Sequence, residues 1–242
     1  MTKPASPKDS ATGLAAPGLT PPGLAAAPDG RPLFAHYLGG DRKALGLAFS
    51  RPSGLLGRLA GALMARKNSP MNAFAIAALA PQDGERILEI GFGPGTALAM
   101  LGRLAPGSAL AGLDPSALMV RAAARRLGAL RPGPDLRQGT ADALPWPDGQ
   151  FHAVLAVNSL PFWSPLPRAL AEVRRVLRPG GRFVIGMRMT LPEDRGRLEP
   201  GCEPGEVLVL RGLLAGAGLE PGAETALRGR RETRCLVALR RP

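Results

Sequence analysis

From Ser69 to Pro81 apolar residues recur at helical spacing, through Met71, Phe74, Ile76 and Leu79. Ser69 reads as the helix N-cap and Pro70 as its first residue, where a missing N–H costs nothing. From Gly84 onward short apolar runs bounded by Gly and Pro alternate with helical patterns, the signature of a mostly parallel sheet. The pattern predicts strands over Arg86–Ile90, Ala109–Leu113, Asp135–Gln138, Phe151–Val157 and Arg182–Met187. Two late strands follow, near Leu219–Leu227 and Thr233–Leu239. Helices are predicted from Gly95 to about Ala105, and over Ser116–Leu127, Leu166–Leu177 and about Glu206–Ala217. Arg178-Pro179-Gly180-Gly181 reads as a tight turn into the fifth strand.

Upstream the pattern fades. Residues Met1 to about Pro32 are rich in Pro, Gly, Ala, Ser and Thr, with little to bury, and are expected to be disordered. Short helical patterns run from Phe34 to Asn68, clearest in Leu55, Leu56, Leu59, Leu63 and Met64. The chain therefore divides into a tail (1–32), an N-terminal helical segment (33–80) and one α/β domain (81–242).

Composition changes this picture little. The chain is 45% hydrophobic and 21% charged, ordinary for a globular protein. Its 31 basic and 19 acidic residues leave a net charge of +12, nearly all from scattered arginine without a lysine block. Dispersed arginines usually solvate helix faces; the competing meaning is an anionic partner such as nucleic acid or lipid headgroups. Cys202 and Cys235 have no metal or disulfide spacing, and no apolar run suits a signal peptide or a membrane span. The expectation is a soluble, cytoplasmic protein without a metal.

The chemistry concentrates in Ile87-Leu88-Glu89-Ile90-Gly91-Phe92-Gly93-Pro94-Gly95-Thr96, an apolar strand running into a glycine turn that opens a helix. Glycines permit positive φ and close approach of a ligand to the backbone, and the helix N-terminus adds free N–H groups. A pyrophosphate cradle wants a sixth-position glycine for close packing, whereas this chain has Thr96. Glu89 also puts a carboxylate at the strand end, which suits a ligand with a cationic end and no phosphate. Asp114 ends the second strand about twenty residues on, where an acid accepts from ribose hydroxyls. It could equally cap the next helix. Asp142 could accept from an adenine amino group or simply serve a turn.

Five motifs stand in order: ILEIGFGPGTA (87–97), GLDPS (112–116), GTADALPWPDGQF (139–151), AVNSLPFW (156–163) and EVRRVLRPGGRFVIG (172–186). Together they resemble the class I S-adenosylmethionine-dependent methyltransferases, in particular the ubiquinone/menaquinone-biosynthesis C-methyltransferase branch, over roughly Asn68–Arg240. The resemblance implies a Rossmann-like, seven-stranded, mostly parallel sheet with helices on both faces and an antiparallel last strand. The N-terminal segment would form a helical lid over the acceptor. S-adenosylmethionine would be the cofactor, with Glu89, Gly91, Gly93 and Gly95 along its methionine end. Asp114 would hold the ribose and Asp142 and Ala143 the adenine, with Met119 against the ring and Asn158 beside the methionine portion. Phe92 and Pro115 complete that lining. His152 departs from the family's usual aspartate; at the start of the fourth strand it lies opposite the crevice and is discounted as catalytic.

The implied activity is methylation of a small-molecule acceptor at O, N or C by in-line displacement. Positioning and desolvation supply most of the acceleration, and an acidic acceptor would add a general base. His36 and Tyr37 are the candidates for that role, with lid packing as the simpler reading. Asn72, Phe162, Trp163 and Arg188 are candidates for the acceptor pocket, although Phe162 and Trp163 could equally be core. One alternative is methylation of RNA or protein through the basic surface. It is disfavoured by the 4% aromatic content and by Asn158-Ser159-Leu160-Pro161-Phe162, which does not match the Asn-Pro-Pro-aromatic motif of amino-directed enzymes. Another is a membrane- or partner-binding protein that uses the Leu55–Met64 segment.

Overall fold

The computed structural model describes residues 68–191, 201–229 and 231–242. The tail, the Leu55–Met64 pattern, His36 and Tyr37 lie outside the described residues. The described residues of helix α1 are 68–79. It is followed by β1 (Arg86–Ile90), α2 (Thr96–Leu104), β2 (Ala109–Asp114), α3 (Ala117–Leu127), β3 (Asp135–Gln138) and β4 (Phe151–Val157). A 3-10 turn (Leu160–Phe162) then leads to α4 (Leu166–Val176), β5 (Leu177–Arg188), α5 (Pro204–Gly216), β6 (Leu219–Leu227) and β7 (Thr233–Arg240).

The strands form one seven-stranded sheet in the order β3-β2-β1-β4-β5-β7-β6. Pairing is parallel from β3 through β5, and β7 runs antiparallel to both β5 and β6. Alternation of side chains sorts each strand onto two faces. Leu88, Ile90, Val154, Ala156, Phe183 and Ile185 face α4 and α5. Ile87, Leu155 and Val184 face Ile76 and Leu79 of α1, Leu98 and Leu101 of α2, and Ala123 and Leu127 of α3. The result is three layers with helices on both sides. Among the described residues, no helix is long and apolar enough to cross a membrane.

Three details depart from the sequence reading. Asn68 and Ser69 are already helical, so Ser69 does not cap α1. Residues 68–79, expected in the lid segment, are core: Met71, Ala75, Ile76 and Leu79 are buried, and a Cβ on Gly186 would lie 3.3 Å from that of Ala75. The domain therefore begins before residue 81. Strand β5 begins earlier than expected, at Leu177, which pairs with Phe151. Arg178–Gly181 then have no partner in β4 before Arg182 pairs with Ala153, and Gly180 takes φ +73°, so the expected turn interrupts the strand.

Two arginines of β5 hold α1, one at Asn68 and one at its carboxyl end. Arg182 grips Glu85 bidentately, at 2.8 and 2.6 Å, and donates to the carbonyls of Leu79 and Ala80. Arg188 Nη2 donates to Asn68 Oδ1 at 2.9 Å. Asn68 is thereby held at the carboxyl end of β5, beside the crevice where parallel α/β sheets bind ligands.

Candidate functional site

Strands β1, β2 and β4 are stitched together at their carboxyl ends. Gly91 N–H donates to Leu113 O at 2.7 Å, and Ser159 Oγ donates to Ile90 O at 2.7 Å. Asn158 takes a positive φ of 53°, which its short polar side chain tolerates, and its N–H donates to Gly186 O at 2.8 Å.

The three glycines of the turn do different work. A Cβ on Gly91 would sit 2.4 Å from Ser159 Cβ, and one on Gly95 would sit 2.9 Å from Ala123 Cβ. Those two positions admit neighbouring protein. Gly93, at φ +54°, has nothing within 4 Å of a built Cβ, so it alone presents bare backbone to open space. Gly95 thus supplies the close packing that a dinucleotide site takes from its sixth residue, which leaves Thr96 free to differ. Phe92 turns inward; its ring is buried, and a Cβ on Gly112 would lie 2.6 Å from its Cδ1. Only the Phe92 backbone, whose carbonyl accepts from Gly95 N–H, belongs to the turn.

Asp114 Oδ2 accepts from Gly93 N–H at 2.8 Å, and Oδ1 accepts from Ser116 N–H at 2.9 Å. Ser116, rather than Asp114, caps α3 by accepting from Met119 N–H. Pro115 O is held by Gln138 Nε2, and the Met119 side chain is buried. Burial pushes the Asp114 carboxyl above its ordinary range, against the pull of its two N–H donors.

Glu89 is 3% exposed, and its Oε2 is buried without a hydrogen-bond partner. Burial first, and the negative charge of Asp114 second, push it up to about 8. Neither acid forms an ion pair among the described residues, in a chain with 31 basic side chains. Thr96 Oγ1, at the start of α2, is also buried and unpartnered. Two buried carboxylates with spare lone pairs, an unused hydroxyl and one open glycine fit a ligand that carries positive charge. Among the described residues no group of three His, Cys, Asp or Glu is placed to hold a metal.

Asp142 and Ala143 lie in the loop after β3, half-exposed and exposed. The Thr140 hydroxyl lowers the Asp142 carboxyl below its ordinary range. Among the acceptor-side candidates, Asn72 is buried on α1 and Phe162 is half-buried in the 3-10 turn. Trp163 is half-buried after the 3-10 turn and stacks on Phe183 at 6.1 Å and 15°. Arg188, the candidate anchor for an acidic substrate, is half-buried at the end of β5 and donates through Nη2 to Asn68 Oδ1. His152 Nδ1 accepts from Arg86 N–H at 3.1 Å at the amino end of β1, away from the crevice. Sequence reasoning missed Ser159 and Thr96; the only local hint was a small polar residue beside each glycine-rich or strand-end motif.

Similarities to known proteins fall on this same region. The family described as a methyltransferase domain matches residues 88–185. The uncharacterized methyltransferase YdaC of Bacillus subtilis is 34% identical over 131 residues, covering 54% of this chain and 71% of that protein. Demethylmenaquinone methyltransferase of Thermus thermophilus is 41% identical over 103 residues, 42% of this chain and 46% of the relative. The fatty-acid O-methyltransferase of Mycolicibacterium smegmatis is 39% identical over 108 residues, 45% of this chain and 39% of the relative. The chain thus spans less than half of these last two relatives. A solved structure of a methyltransferase from Aquifex aeolicus superposes with a TM-score of 0.60 at 19% identity, over 70% of this chain and 89% of that one. At that identity the likeness shows a shared fold.

Proposed function

Because this chain belongs to the class I S-adenosylmethionine-dependent methyltransferases, we propose that it methylates a small molecule at O, N or C. When bound, the cofactor supplies a methyl group already activated on a sulfonium, so the protein's task is placement and exclusion of water. In this reading Gly93 offers bare peptide to the methionine end, and Glu89 supplies negative charge opposite the positive groups. Asp114 keeps a spare lone pair on each oxygen for the ribose hydroxyls. Asp142 and Ala143 take the adenine edge, with Met119 and Pro115 behind it and Asn158 beside the methionine portion. Phe162 and Leu191, half-buried after β4 and β5, wall the acceptor side, with Asn72 as a polar contact. His36 and Tyr37 are the proposed proton acceptors for an acidic substrate.

One observation carries the choice of a small acceptor over nucleic acid. Arg137, Arg175, Arg182, Arg234 and Arg241 each pair with an acid of the same chain, so these five guanidiniums are already engaged and do not make an open phosphate-binding stripe, although the net charge stays +12. The apolar acceptor wall also accords with relatives named for a quinone precursor and a fatty acid. The test is incubation with radiolabelled cofactor and separate pools of fatty acids, phenols and quinols, amines, bulk RNA and protein. Label in an organic-soluble pool is expected. Label confined to RNA or protein would overturn the choice.

A further inference from the structure

Helix α4 carries Arg168, Glu172 and Arg175 at i, i+4 and i+7, a single stripe on one helix face. All three bind the backbone of the same loop. Arg168 Nε donates to Asp142 O at 3.0 Å. Glu172 Oε2 accepts from Leu144 N–H at 2.8 Å, and Arg175 Nη2 donates to Leu144 O at 2.9 Å. Arg175 Nη1 continues to Trp146 O and Asp148 Oδ1, both at 2.8 Å. The guanidinium and the Glu172 carboxylate are themselves paired at 2.7 and 2.8 Å. From the far side, Trp146 Nε1 donates to Asp135 Oδ2 at 2.9 Å, and Arg137 stacks 4.9 Å over the indole.

The loop from Gly139 to Gln150 lies outside the strands and helices; Gly139 N–H donates to Asp114 O of β2, Gly149 N–H to Arg175 O of α4 and Ala143 N–H to Thr140 O within the loop. Between these points its peptide groups are held by side chains. Both backbone groups of Leu144 are gripped by one ion pair, two residues after Asp142. A hydrogen bond that distinguishes one base edge from another weakens steeply with angle and distance, so its acceptor has to be held still.

We propose that Arg175, acting with Glu172 through Leu144, is a positioning residue that sets the base selectivity of the cofactor pocket at Asp142 and Ala143. This rests on the reading of that loop as the adenine edge. A lysine cannot replace the arginine, because one ammonium cannot span two carbonyls and a carboxylate with fork geometry.

The test is calorimetric titration of the full chain with S-adenosylhomocysteine and with its inosine counterpart, whose base has an oxo group in place of the amino group. The wild type is expected to favour the adenosine form by about tenfold or more, because the oxo group cannot donate to the Asp142 carboxylate and sets two acceptors face to face. Arg175→Lys should bring the two affinities close together, chiefly by weakening the adenosine form. Glu172→Gln, which keeps an acceptor for Leu144 N–H but breaks the ion pair, should narrow the ratio partway and serves if Arg175→Lys does not fold. A folded variant that keeps the wild-type ratio would overturn the proposal, whatever its absolute affinities. A wild type that does not discriminate would overturn it together with the adenine reading of Asp142. Failure to bind either ligand would overturn the cofactor site itself.

Discussion

The N–H of Gly93 donates to Asp114 Oδ2 across 2.8 Å, joining the turn after β1 to the last residue of β2. Asp114 holds Ser116 N–H at 2.9 Å with its other oxygen, so one buried carboxylate fixes both the glycine turn and the entry to α3. Each oxygen retains a lone pair, and cofactor binding does not require either bond to break.

Truncation at this point removes two charge-assisted bonds together. Asp114→Ala is expected to cost roughly 2–4 kcal/mol in stability by leaving two N–H donors unpaired. Asp114→Asn, with one acceptor oxygen, should fall between that variant and the wild type. Chemical denaturation of the three proteins measures the order.

The glycines separate packing from binding. Gly91→Ala forces a Cβ to 2.4 Å from Ser159 Cβ at φ +78° and should destabilise by roughly 2–4 kcal/mol. Gly93→Ala meets no atom within 4 Å, so its stability cost should be only about 1 kcal/mol, that of a left-handed backbone. Cofactor affinity should nonetheless fall in Gly93→Ala. Paired melting and binding curves decide; equal stability losses would show that Gly93 is packing too.

Glu89 makes the site respond to pH. Its carboxyl is raised to about 8 by burial and by Asp114, so the cofactor-free protein keeps this proton at neutral pH. For an acid whose folded value is raised, the contribution to stability is intact below the ordinary carboxylate range and declines as pH climbs towards about 8. A cationic ligand favours the carboxylate, so its affinity should rise with pH over the same window and its binding should release a proton. Calorimetry at pH 7 in two buffers of different ionisation heat detects that proton. Glu89→Gln should abolish both the release and the slope, and a buffer-independent heat for the wild type would contradict this assignment.

Arg182 and Glu85 anchor α1, their side chains 21% and 11% exposed. Arg182→Met leaves the Glu85 carboxylate without its counter-charge, held only by Gln82 N–H, and takes the donor from Leu79 O, and should cost about 3 kcal/mol. Adding Glu85→Gln should restore part of the loss. A denaturation cycle over the four proteins reads the coupling, and strict additivity would argue against the clamp.

What the sequence disclosed depended on how local each signal was. Arg86–Ile90, Asp135–Gln138 and Phe151–Val157 were legible to the residue because glycine or proline punctuates each run. At Arg178–Gly181 the punctuation marked the turn but not the earlier start of β5, because the pairing of Leu177 with Phe151 before that turn is a long-range contact. The glycine turn and Asp114 were legible because turn chemistry and strand ends are written in neighbouring residues. Ser159 was not, since it meets Ile90 across 69 residues, nor was the α4 stripe, whose bond from Glu172 to Leu144 spans 28. Phe92 illustrates the limit of motif reading, because nothing in GFGPG says that this side chain turns into the core while its neighbour Gly93 faces out.

The decisive measurement is equilibrium titration of S-adenosylmethionine into the wild type and into folded Asp114→Lys. The wild type should bind at a single saturable site, and a lysine ammonium in place of the carboxylate should remove detectable binding. Equal affinity in both proteins, or none in the wild type, would contradict the assignment of this crevice to a cationic cofactor.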